Sequence, residues 1–170
     1  LSLLLNLDLS TQRIRLHDVM RTYLQGQTRN QLSTRHAQFL EVCIPQHWSD
    51  LETQQHYLYT HVPYHLYHAG LHDKLKELLL NFDWLHAKLV TMDVTSVVND
   101  YAWLPEDEAL REIQSAIRLS AHILAKDNDQ SAPQLVGRLL SSQKQDVMGL
   151  VQQAQQWKGR PWLQPLIASL

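Results

Sequence analysis

The chain has 170 residues, of which 44% are hydrophobic and 19% are charged, and its formal net charge is −2. This size and composition predict about one folded domain and exclude a disordered tail. The absence of a basic excess argues against a general nucleic-acid binder. The single cysteine, Cys43, excludes a disulfide framework and a four-thiolate zinc site.

The first segment predicts a small β-hairpin. Leu5, Leu7 and Leu9 alternate with polar residues, which is the period of a half-buried strand. A turn at residues 10–12 separates this run from a second alternating run at 13–16.

Everything after the hairpin predicts helices, about eight or nine of them, which makes the fold class all-α. Short connections favour an array in which sequential helices pack antiparallel. Each helix is indicated by apolar residues at helical spacing. The stripes comprise Val19, Met20, Tyr23 and Leu24; Leu32, His36, Phe39, Leu40 and Cys43; Leu51, Leu58, Val62, Leu66 and Ala69; Leu71, Leu75, Leu78, Leu79 and Phe82; Trp84, Leu85 and Leu89; Val94, Val97, Val98 and Tyr101; Leu110, Ile113, Ile117, Ala121 and Leu124; Leu135, Leu139 and Leu140; and Val147, Leu150, Val151, Ala154 and Trp157.

Glycine, proline and N-capping residues predict where these helices begin and end. Gly26, Pro45 and Gly70 are expected stops, and Asp50 and Asp83 are expected caps. Two prolines have further consequences. The longest helix is expected to begin at Pro105, with acidic residues 106–108 in its first turn, and Pro63 predicts a kink or a restart inside its helix.

The two ends of the chain and its hydropathy give expectations about where the protein is located in the cell. The sequence starts at Leu1 and finishes in the apolar run 162–170, which predicts a piece of a longer polypeptide. Residues 1–5 lack the basic region and cleavage site of a signal peptide. No stretch approaches the roughly 20 apolar residues that span a bilayer. We therefore expect a cytoplasmic chain with no membrane partner.

Ten histidines are the unusual feature of the composition. His61, His65, His68 and His72 are spaced 4, 3 and 4, and imidazoles at i and i+4 can share a zinc ion. Pro63 interrupts the row, Gly70 should end the helix before His72, and no carboxylate motif accompanies it. We expect a packed helix surface and no metal site, with a histidine-row metal domain as an alternative.

No pattern predicts catalysis. Cys43 lies on an apolar helix face, where a thiol behaves as a small hydrophobe. There is no G-x-S-x-G nucleophile turn, and five separated glycines form neither a phosphate loop nor a dinucleotide fingerprint. We expect no catalytic residue, and from the residues alone the default function is a helical scaffold that binds another protein.

Several strings resemble a known family. Residues 15–24 (RLHDVMRTYL) resemble the end of the winged-helix subdomain in STAND-type, or NB-ARC, signalling ATPases, where a Met-His-Asp motif opens a helix. Here Leu16 stands in place of the methionine. Segments similar to the helical arm of apoptotic protease-activating factor-like proteins and their bacterial relatives are 59–66, 78–88 (LLLNFDWLHAK), 119–124 and 134–139. Residues 162–166 resemble the segment that leads into a WD-repeat propeller.

The resemblance implies a domain plan. Residues 1–28 would be the C-terminal part of a winged-helix domain, 29–160 the helical arm, and 161–170 a linker towards the propeller. The chain would be a non-enzymatic part of a P-loop ATPase. The arm would relay ligand binding at the propeller to ADP release and oligomerisation. Its partners would be the nucleotide-binding domain and propeller of the same polypeptide, with homo-oligomerisation of the whole protein.

The resemblance also implies roles for individual residues. His17 matches the histidine that contacts the β-phosphate of ADP, and Asp18 matches the acid that holds the motif turn by capping the next helix. ADP and ATP would bind the whole protein, and no cofactor is expected for this chain alone. His65, Trp84, Lys88 and His122 match framework positions. Trp84 is expected to anchor the core, and Lys88 to lay its stem on apolar surface with its amine outside.

Overall fold

The computed structural model describes residues 5–8, 13–28, 31–43 and 56–164. Within these ranges the chain forms two short strands and nine α-helices. The strands are β1 (Leu5–Asp8) and β2 (Arg13–Leu16). The helices are α1 (Asp18–Thr28), α2 (Leu32–Cys43), α3 (His56–His68), α4 (His72–Leu79), α5 (Phe82–Thr91), α6 (Val94–Asp100), α7 (Glu108–Leu124), α8 (Ser131–Leu139) and α9 (Gln145–Gln156). The all-α class that the sequence predicts is confirmed for the helical part.

The two strands pair antiparallel ahead of the helices. Leu5 lies opposite Leu16 and Asp8 opposite Arg13, so four residues of each strand are in register. The expected turn at residues 10–12 lies outside the described residues. The assignment of this pair to a winged-helix domain stays a prediction.

The helices from α2 onwards form one array around one core. Each helix contacts the next along the chain, and α9 also returns to α5 and α7. The largest fully buried side chains include Trp84, Tyr59 and Phe82. Buried apolar residues run from Leu40 in α2 to Ala154 in α9 as one cluster. A single close-packed core of this kind holds all eight helices in a fixed arrangement.

Side-chain and backbone caps set several helix ends. The carboxylate of Asp107 accepts hydrogen bonds from the backbone N–H groups of Ala109 and Leu110, both at 3.0 Å. Asp93 caps α6 in the same way. After α3, Gly70 has φ +75°, and Gly70 and Leu71 donate back to the carbonyls of Tyr67 and Leu66. This left-handed turn is the glycine stop that the sequence predicts.

Three expected boundaries are wrong. Helix α1 continues through Gly26 to Thr28, because an exposed glycine weakens a helix by only about 1 kcal/mol. Helix α7 begins at Glu108 with Asp107 as its cap, so Pro105 lies in the preceding turn. Asn81, not Asp83, caps α5 by accepting from the Trp84 N–H. Helix α3 is continuous through Pro63 and does not restart.

The leucine stripe that runs from Leu71 to Phe82 covers two helices. Leu75, Leu78 and Leu79 are buried on α4, whereas Phe82 is the first residue of α5. The helical spacing of apolar residues continues from α4 into α5 because only Leu80 and Asn81 separate the two helices. The stop expected at Pro45 and the cap expected at Asp50 lie outside the described residues. None of the helices described is both long and apolar enough to cross a bilayer.

Candidate functional site

The motif residues His17 and Asp18 lie where β2 passes into α1. β2 ends at Leu16, and Asp18 is the first residue of α1. Both side chains are exposed, and ring nitrogen Nδ1 of His17 accepts a hydrogen bond from the Val19 backbone N–H at 3.3 Å. His17 thus caps the helix with one nitrogen. A neutral imidazole that accepts at Nδ1 carries its proton on Nε2, which is then a free donor.

The apolar stripe of α1 follows directly and faces outwards in the described part of the chain. Val19 is 66% exposed and Tyr23 is 59% exposed. These two residues are one helical turn apart and lie on the same face. The motif and an uncovered apolar face therefore share one short helix.

The histidine row is divided by the turn at Gly70. His61, His65 and His68 lie on α3, while His72 is the first residue of α4. Of these, His65 is buried between α2 and α3. Its Nδ1 lies 2.7 Å from Nδ1 of His36, and its Nε2 lies 3.1 Å from the Tyr57 hydroxyl.

The electrostatics of this pair favour uncharged rings. Burial, with a smaller effect of His36 and other neighbouring histidines, lowers the pKa of His65 to about 4. Burial also lowers the pKa of His36. Two nitrogens 2.7 Å apart must share one proton in a hydrogen bond, because two protonated rings would repel at that distance.

The same geometry gives the histidines a packing role. Two tetrahedral zinc ligands with bonds of about 2.05 Å lie roughly 3.3 Å apart, well beyond the 2.7 Å between the two Nδ1 atoms. Among the described residues, no three His, Cys, Asp or Glu side chains are placed to hold a metal ion. The rings pack on aromatic neighbours instead: His65 lies 4.4 Å from Phe39 between centroids with the planes tilted by 33°, and His61 stacks on Tyr57 at 4.2 Å.

Cys43 is the last residue of α2 and is partly buried as a free thiol. This position fits the small-hydrophobe interpretation of the sequence. No basic side chain is paired with it in the described residues.

The expectation for Lys88 is wrong. Its side chain is only 2% exposed, and Nζ lies 2.7 Å from both carboxylate oxygens of Asp100. The ammonium also lies 5.6 Å from the ring centroid of Trp84, which is the core anchor that the sequence predicts. Burial lowers the pKa of Lys88 and raises that of Asp100, and their mutual attraction opposes both shifts.

Sequence reasoning missed Asp100 and His36 as the partners of Lys88 and His65. Each partner belongs to another helix, 12 and 29 residues away. Helical periodicity carries no signal for such contacts. The only local hint was that Asp100 and Lys88 each interrupt a buried apolar face.

The comparisons with known proteins agree with this helical part. The APAF-1 helical domain family matches residues 32–160. The zebrafish (Danio rerio) protein "Apoptotic protease-activating factor 1" is 27% identical over 122 residues, and the match covers 66% of this chain and 10% of that protein. The chain therefore spans about a tenth of the length of this curated relative. No solved structure gives a significant match.

Proposed function

Because this chain belongs to the APAF-1 helical domain family, we propose that it is the non-catalytic arm of a STAND-type signal-transduction ATPase. The arm would connect a nucleotide-binding and winged-helix module to a WD-repeat sensor. It would relay ligand binding at the sensor to ADP release and to oligomerisation of the whole protein. The observation that carries the proposal is that the family match, residues 32–160, covers all the helices from α2 to α9.

The continuous core supports a relay because a relay must be stiff. Buried side chains connect α2 to α9 without a break. Beyond α9, Trp157 packs on Phe82 at 6.3 Å and on His86 at 4.8 Å between ring centroids. Arg160 then pairs with Asp129 at 3.1 Å. A displacement of the segment after α9 would therefore be passed to α5 and to the turn that precedes α8.

The geometry of His17 supports the proposed contact with nucleotide. The ring is exposed, and its Nδ1 is engaged by the Val19 N–H. This contact orients the ring and leaves Nε2–H as a donor for a phosphate oxygen. Asp18, at the start of α1, would hold the turn and place a carboxylate at the positive end of the helix dipole.

The proposed relay is a shift between two populations. With ADP bound through His17, the closed state would dominate in the absence of ligand. A ligand that binds the propeller better in the open state shifts the population by its difference in affinity for the two states.

The nucleotide contact is tested by replacing His17 with Ala in the whole protein and measuring release of a fluorescent ADP. Loss of one hydrogen bond to a charged group predicts about ten- to hundredfold weaker ADP binding. The matched control is His122→Ala, which removes an exposed imidazole from α7. If His17→Ala and His122→Ala release ADP at the same rate, His17 has no role in binding.

The relay itself is tested by loosening the connection between α1 and α2. A four-residue Gly-Ser insertion there leaves both helices intact and should abolish the dependence of ADP release on sensor ligand while ADP still binds. Unchanged ligand-dependent release would refute the relay. The sequence on both sides of the chain gives an independent check, since the proposal requires a phosphate loop before it and WD repeats after it.

A further inference from the structure

An open cleft of about 580 Å³ lies between the end of α3, the first turn of α4 and the connection from α6 to α7. Clefts of about 300–1,000 Å³ commonly hold ligands in proteins. Aromatic rings form its walls. Tyr67 stacks on His72 with centroids 5.1 Å apart and planes at 18°, and Trp103 lies 5.0 Å from Tyr67.

The cleft also carries negative charge. Asp73 and Glu106 line it with exposed carboxylates, and neither forms an ion pair within the ranges that the structure describes. The one lysine in the lining, Lys76, is held by Asp107 at 2.8 Å and by Asp146 at 2.7 Å. Its charge is therefore offset by two carboxylates. The first turn of α4 also opens here, and Asp73 offsets the partial positive charge of that helix end.

Aromatic walls beside exposed carboxylates that form no ion pair in the described ranges fit a flat cation. A guanidinium stacks on an aromatic face and donates paired hydrogen bonds to a carboxylate, whereas an ammonium matches the charge without the stacking. We propose that this cleft binds an arginine side chain in an extended segment of a separate protein. The proposal does not depend on the relay function, because none of the residues that line the cleft belongs to the hairpin or to the segment after α9.

The cleft is tested on the 170-residue chain by NMR titration with blocked five-residue peptides, Gly-Ser-X-Ser-Gly. X is arginine, lysine, citrulline or glutamate. The arginine peptide should shift the amides of residues 72–76 and 103–107 and the indole N–H of Trp103, and its binding should weaken as salt is raised. Citrulline has the shape of arginine without its charge, so its peptide should bind at least severalfold more weakly.

Two variants locate the site without touching the core. Glu106→Gln and Asp73→Asn should each weaken binding of the arginine peptide by about two- to fivefold. The matched control is Glu77→Gln, which removes the same charge from an exposed position on α4 outside the cleft.

Several results would overturn the proposal. They are equal binding of the arginine and citrulline peptides, preferential binding of the glutamate peptide, shifts confined to another surface, and equal effects of Glu106→Gln and Glu77→Gln. Self-association of the chain through this cleft, seen by sedimentation and by loss of the same amide signals, would also overturn it, because the occupant would then be a second copy.

Discussion

The buried pair of Lys88 and Asp100 makes the sharpest stability prediction. With side chains 2% and 6% exposed and both Nζ–Oδ distances at 2.7 Å, neither charge is solvated by bulk water. Asp100→Asn removes one partner and leaves the ammonium buried without its counter-charge. Breaking a buried pair in this way destabilises a protein by about 3–5 kcal/mol.

This loss in the free energy of unfolding is large for a chain of 170 residues. At roughly 2–4 °C for each kcal/mol, the expected fall in Tm is about 6–20 °C. Urea unfolding followed by circular dichroism gives the free energy directly. The control is Lys76→Met, which breaks two partly exposed pairs and should lower the free energy of unfolding by at most about 1 kcal/mol.

A double replacement separates pairing from burial. Lys88→Met with Asp100→Leu fills the same space with apolar groups and should be more stable than Asp100→Asn alone, although the Trp84 side chain loses its hydrogen bond to the Asp100 carboxylate. With Lys88→Met alone, Asp100 keeps a raised pKa, so the destabilisation should be smaller at pH 5 than at pH 8. If Asp100→Asn lowers the free energy of unfolding by less than about 1 kcal/mol, the amine is solvated and the buried pair is wrong.

Three further predictions concern the histidine pair and two caps. The unfolded chain takes up a proton near the usual His value of 6.5, but folded His65 does so only near pH 4. The free energy of unfolding should therefore fall by roughly 1–3 kcal/mol as pH drops through this window. His65→Phe should reduce that slope in urea titrations, and an unchanged slope would contradict the assignment. Asp107→Ala removes both the cap of α7 and a partly exposed ion pair with Lys76, and should lower the free energy of unfolding by about 1–2 kcal/mol in the same assay. Glu106→Ala, which removes a neighbouring carboxylate that caps nothing, should change it little; equal losses would exclude the cap. Gly70→Ala imposes a side chain at φ +75° and should lower the free energy by about 1–2 kcal/mol. Gly70→Asn should be milder in the same titration, and a neutral Gly70→Ala would contradict the strain.

The helices were predictable from sequence because each buries one face against a common core. The stripes on α2, α8 and α9 were recognisable as helical from spacing alone. Boundaries were less predictable, since several residues compete for each cap. At the start of α7, both Pro105 and Asp107 are favourable, and the carboxylate that satisfies two backbone N–H groups prevails.

The polar contacts inside the array were beyond sequence reasoning. Lys88 has the long stem that lets a lysine reach solvent, and the local pattern favours that outcome. The Lys88 amine stays buried because it donates to the carboxylate of Asp100 on the next helix, α6. In the same way, the row of histidines on α3 suggested a metal site, whereas the partner that determines its chemistry, His36, lies on α2.

These polar contacts bear on the proposed relay because they fix how the helices sit against one another. A close-packed apolar core already resists displacement of one helix along the next, and a buried ion pair or hydrogen bond that loses its partner adds a further penalty. The Lys88–Asp100 ion pair connects α5 to α6, and the His36–His65 contact connects α2 to α3. A hydrogen bond of 2.9 Å between His86 and the Ser131 hydroxyl connects α5 to α8. An arm with these contacts is expected to move as one body. Removing one of these buried contacts should weaken the coupling between the two ends of the arm while the domain stays folded.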